Sequence, residues 1–120
     1  MMDESILVTV KRSLPLPSDT NAFDNELLIH IRSALGILKQ NGCGSFVDLA
    51  DKDMTWSTFF EGSNVAITEE MSELVPSFVY MKTKMIFDPP PPSAVSFYKE
   101  YVDELLWRIR FEYDGTVSDE

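Results

Sequence analysis

A chain of 120 residues with a formal net charge of −10 lacks the clustered Lys and Arg that binding to nucleic-acid phosphates or anionic lipid requires. Its 44% hydrophobic content and eight Phe predict one folded domain with a real core. The single Cys43 excludes an intrachain disulfide framework and a multi-cysteine metal site, and fits a reducing compartment. No apolar run approaches the ~20 residues of a membrane span, the N-terminus does not read as a signal peptide, and no internal repeat is visible.

In chain order, residues 3–14 predict a first helix. Ile6, Leu7, Val10 and Leu14 share one face, Asp3 and Glu4 suit its positive end, and Pro15 and Pro17 stop it. A polar loop leads to a second helix, with Asp24 as N-cap and Phe23 placed to staple against Leu28. Leu27, Leu28, Ile31, Ala34, Leu35 and Leu38 form its apolar face, and Gly42 is the natural residue to close it. Ile29 and Ile37 fall off that face, as ordinary exposed residues or as a subunit contact. Residues 43–54 read as an irregular loop, in which the alternation of Phe46, Val47, Asp48 and Leu49 allows a short strand. Asp53 or Thr55 then caps a single turn whose Trp56, Phe59 and Phe60 plug one end of the core. Thr68 caps a further short helix that starts with Glu69 and Glu70.

The stretch 75–92 organises the rest. Pro76 has no N–H to donate and pushes Val75 away from helical dihedrals, so a helix is predicted to start there. Four consecutive prolines stop it near Asp88 and lead away as a stiff extended spacer. Phe78, Val79, Tyr80, Met81, Met85, Ile86 and Phe87 point in almost every direction, and only Ser77, Lys84 and Asp88 share a polar stripe. Helix 76–87 is therefore predicted to be buried. Lys82 falls between Phe78 and Ile86, where it either snorkels or pairs with a carboxylate across an intersubunit contact. Ser93 caps the longest helix, 94–111. Its core face is Ala94, Tyr98, Tyr101, Val102, Leu105 and Ile109, widened by Val95 and Leu106. Asp114-Gly115 ends the fold. The fold class is all-α: four to five helices around a buried central helix, in one domain over 1–113 with an acidic tail at 114–120.

Catalytic signals are missing. His30 is the only histidine and sits between Ile29 and Ile31 with no triad or metal pattern around it. There is no glycine-rich phosphate loop, and Cys43 has no activating neighbour in sequence. No catalytic residue, cofactor or metal site is expected. The feature that departs from plain packing is a second aromatic line on the last helix. Phe97, Trp107 and Phe111 lie opposite its core face, interleaved with Glu100 and Glu104. These rings either fold back over another helix of the same chain or meet a partner.

Several stretches together resemble the small head–tail connector (adaptor) proteins of long-tailed bacteriophages. The resemblance runs from Ser5-Ile6-Leu7 and Val10-Lys11 through Phe23-Asp24, then Gln40, Gly42 and Gly44, then Thr55-Trp56-Ser57 and Phe59. Its most specific part is Phe78-Val79-Tyr80-Met81-Lys82 followed by Lys84-Met85-Ile86-Phe87-Asp88-Pro89-Pro90, and it closes with Glu104-Leu105 and Trp107-Arg108. Departures are Pro76, where such proteins usually continue the helix, the extra Pro91 and Pro92, and Pro15 and Pro17, where a Gly is usual. The resemblance implies a structural virion protein, made in the host cytoplasm. It would assemble as a ring of twelve in the neck beneath the portal, extend the DNA channel without specific DNA binding, and carry the next neck (stopper) protein. It also implies a C-terminal helix and tail that reach the portal, for which Phe97, Trp107, Arg108, Phe111 and Tyr113 are the candidate contacts; Ile29, Ile37 and Lys82, from their places on the helices, are the candidate subunit contacts. A reading from a different class is an acidic DNA mimic that inhibits a host nucleic-acid-binding protein. It needs carboxylates in a regular surface row, whereas here acids and aromatics are mixed.

Overall fold

One helix, α4 (Glu69–Phe87), touches most of the other elements, and the fold is best built outward from it. The computed structural model describes residues 4–14, 16, 21–43, 53–61 and 68–117. Five α-helices lie among them: α1 (Ile6–Ser13), α2 (Asp24–Gln40), α3 (Trp56–Glu61), α4 and α5 (Val95–Val117), with a 3-10 turn over Pro92–Ala94. The fold is all-α. The only β pairing among the described residues is an isolated antiparallel bridge between Ser5 and Thr55. The expected strand at 46–49 lies outside the described residues.

α4 begins earlier than Pro76 alone predicts. The Thr68 hydroxyl accepts the Met71 N–H at 3.1 Å, and Glu69 and Glu70 occupy the positive first turn. The helix then runs through Pro76, merging the two predicted pieces into one. An interior proline costs about 3 kcal/mol because the i−4 carbonyl, here that of Ser72, loses its donor. The opposing term is larger. Met71, Leu74 and Val75 precede the proline and are buried, each worth roughly 1.5–3 kcal/mol on leaving water. Phe78, Val79 and Met81 continue the buried arc beyond it. The far end is less enclosed than predicted: Ile86 is 54% exposed, and Met85 and Phe87 are half-buried. Of the predicted polar stripe, Lys84 bonds Asp88 at 3.2 Å, and the Ser77 hydroxyl donates to the Glu73 carbonyl.

α2 and α5 both pack on α4, and α1 rests against α2 and α4. The α2 helix starts at Asp24 itself; Phe23 is the cap residue and supplies no side-chain bond. The Phe23 ring meets Phe87 edge-on at 5.3 Å, joining the start of α2 to the end of α4. Lys11, in the last turn of α1, pairs with Asp24 at 2.9 Å, so each charge also sits at the favourable end of its own helix. The C-terminus of α2 is a complete Schellman motif: Cys43 N–H bonds the Leu38 carbonyl at 2.7 Å and Gly42 N–H the Lys39 carbonyl at 3.0 Å, with Gly42 at φ +77°.

The first helix starts at Ile6, three residues later than expected, with Ser5 as its cap: the Ser5 hydroxyl accepts the Val8 N–H at 3.0 Å. α3 docks beside it. Ile6 N–H donates to the Met54 carbonyl at 2.8 Å, and the Trp56 indole N–H donates to the Thr9 hydroxyl at 3.0 Å. Trp56, Phe59 and Phe60 are buried and close one end of the core as predicted.

Candidate docking face on the last helix

The proline segment positions α5. Pro91 has extended dihedrals (φ −55°, ψ 149°), and Pro92 opens the 3-10 turn that feeds the helix at Val95. The chain thus reverses within a few residues and α5 returns antiparallel along α4. At the far end Thr68, the cap of α4, donates its hydroxyl to the Glu112 carboxylate at 3.0 Å. The helix continues past Asp114-Gly115, the expected end, to Val117.

That extension changes which residues face inward. Val102, Leu105, Ile109 and Tyr113 are buried, with Tyr98 and Leu106 partly so. Tyr113, expected among the partner contacts, is only 3% exposed. It lies one helical turn beyond Ile109 on the same face, so it belongs to the core and is not available to a partner in this conformation. Tyr101 moves the other way. It lies at the edge of the core face and is exposed.

The second aromatic line is open. Phe97, Trp107 and Phe111 are 68%, 64% and 62% exposed, and no other helix of the described residues covers them. Trp107 and Phe111, four residues apart, stack with centroids 5.7 Å apart and planes 21° from parallel. Phe97 packs edge-on against its neighbour Tyr98 at 6.0 Å. Arg108 is exposed on the flank, and Glu100 and Glu104 are exposed between the rings. Phe97, Glu100, Tyr101 and Glu104 line a shallow groove. The possibility that these rings fold back over another helix is therefore not realised.

The other candidates lie elsewhere. Ile29 is 59% exposed on α2, whereas Ile37 is partly buried and packs on the core. Lys82 is half-buried beside the buried Phe78 and forms no ion pair among the described residues. The sequence reading also missed exposed Val8, Phe23 and Ile86, the last two near the corner where α2 begins and α4 ends. His30 is half-buried, and the described residues contain no group of three or more His, Cys, Asp or Glu able to hold a metal ion. No helix of the described residues is long and apolar enough to cross a membrane.

A bundle whose longest helix turns one apolar face inward and a second outward has the form of an assembly subunit. The comparison with protein families decides which kind: the family model described as phage connector protein matches residues 6–116. The chain belongs to the phage connector protein family. The match takes in all five helices of this connector up to the last residue of α5, including the whole outward face from Phe97 to Phe111. Membership carries a connector role between phage head and tail and a place in the virion neck. No curated protein and no solved structure matches this connector.

Proposed function

We propose that the protein is a non-catalytic structural component of the virion that assembles as a ring of twelve beneath the portal, extends the DNA channel and carries the next neck protein. The observation that carries the reading is the outward line of Phe97, Trp107 and Phe111 on a chain that matches the connector family from end to end of its helical fold. Large rings left in water disfavour a lone monomer and favour an interface core. In this reading α5 docks on the portal through Phe97, Trp107, Arg108 and Phe111, while Ile29 contributes to contacts between copies. Twelve copies at −10 each bring on the order of −120 formal charges to the ring before counterions, and a channel wall of that sign repels DNA phosphates in transit.

Mass measurement in solution, with and without the portal protein of the same phage, tests this. The expected result is a stoichiometric ring complex when portal is present. A chain that ignores portal and instead binds a host nuclease in competition with DNA would overturn it in favour of the acidic mimic. A ring whose channel wall proved neutral or basic would remove the electrostatic part.

A further inference from the structure

The outward face of α5 is not simply apolar. Glu100 and Glu104 lie one turn apart between Phe97 and Trp107, with Asp103 on the flank. All three are exposed, and none forms an ion pair among the described residues. The face therefore alternates ring, carboxylates, ring, with Arg108 as its one exposed cation, set beyond the carboxylates beside Trp107. Bringing the same face of a second copy against it would set three carboxylates against three, with one Arg108 per copy to offset them, a contact of net like charge that suppresses association. Setting it on a purely apolar surface would strip water from carboxylates and leave them unpaired, which costs more than the rings gain. One kind of surface satisfies both the rings and the acids.

We propose that this face docks on a basic protein surface that offers two apolar sockets with Lys or Arg side chains between them; resting on the proposed function, that surface belongs to the portal. One socket takes Phe97 and the other the stacked Trp107–Phe111 pair. At 1.5 Å rise per residue, Phe97 and Trp107 stand about 15 Å apart along the axis, which sets the spacing of the sockets. Arg suits the space between better than Lys. Its planar guanidinium pairs with a carboxylate and stacks on an aromatic face at the same time, and the groove formed by Phe97, Glu100, Tyr101 and Glu104 supplies both.

The test uses the full chain and the purified portal protein of the same phage, with binding kinetics measured from about 0.05 to 0.5 M salt, a range that shortens the Debye length several-fold. Wild type should associate more slowly as salt rises. The double variant Glu100→Lys with Glu104→Lys should lose about tenfold or more in association rate at low salt, and its salt slope should flatten or invert. A control with the same change in net charge, Glu26→Lys with Glu73→Lys, reverses exposed acids on α2 and α4 and should keep most of the wild-type rate and slope. Trp107→Ala should act mainly through faster dissociation and leave the slope intact. If wild type binds portal but both double variants behave alike, this inference fails and portal docking stands. If wild type does not bind portal, the docking reading fails and takes the inference with it. If wild type self-associates and Trp107→Ala disperses it, a second copy occupies the face, and the basic partner is overturned.

Discussion

Gly36 sits inside α2, about one turn from its C-terminal end, where glycine is disfavoured, and a Cβ added there meets nothing within 4 Å. Gly36→Ala should therefore raise the stability of the isolated monomer by about 0.5–1 kcal/mol, read as a higher midpoint in urea at unchanged slope. A loss of stability would show that the position is crowded in a way the fold does not display. Phe78 is the opposite case. It is fully buried on α4 and has no route to solvent, so Phe78→Ala should cost roughly 3–5 kcal/mol. An unchanged melting temperature would remove α4 from the centre of the core. Much of this was legible one residue at a time: the inward leucines of α2, the Trp56 plug, Gly42, and the outward Phe97, Trp107 and Phe111 all follow from helical spacing. Phe23 did not. Its ring meets Phe87, sixty-four positions away, and local pattern carries no information about such a contact.

At the scale of elements, two differences between pattern and fold have one cause. Pro76 marks a helix start only if local propensity decides, but three buried side chains on its N-terminal side outweigh the lost hydrogen bond. Once α4 reaches back to Glu69, its first two turns give α5 a longer surface to pack on, and α5 runs to Val117. The same extension carries Tyr113 inward. Thr68 joins the two events, capping α4 and bonding Glu112. Thr68→Val keeps the volume and removes both bonds. It should destabilise the monomer by about 1–2 kcal/mol, and a circular-dichroism melt should report it. No effect would mean that the α4–α5 hairpin holds without its polar latch. The candidate docking face was more legible than the hairpin because an amphipathic helix reveals its odd residues by periodicity alone, whereas the end of a helix depends on what it lies against.

For the molecule as a whole, the decisive separation is between stability and assembly. Trp107→Ala should leave the melting temperature of the isolated chain near that of wild type, since the ring is mostly in water, and should weaken docking by roughly 2 kcal/mol or more. An equal loss of monomer stability would make Trp107 a packing residue after all. This contrast with Phe78 divides the chain into a part that folds it and a part that connects it.

The bare rings of α5 also bear on the life of each copy before it finds a partner. A subunit carrying three uncovered aromatics is a colloid at risk of sticking to itself, and a formal charge of −10 on every copy opposes that. Discharging the chain, by bringing the pH toward its isoelectric point near 4.4, should precipitate wild type well before it precipitates a variant with Phe97, Trp107 and Phe111 changed to Ser. Light scattering across that pH range would read the difference, and equal turbidity in the two would absolve the rings. The acidity of the chain would then also set the shelf life of the unassembled part.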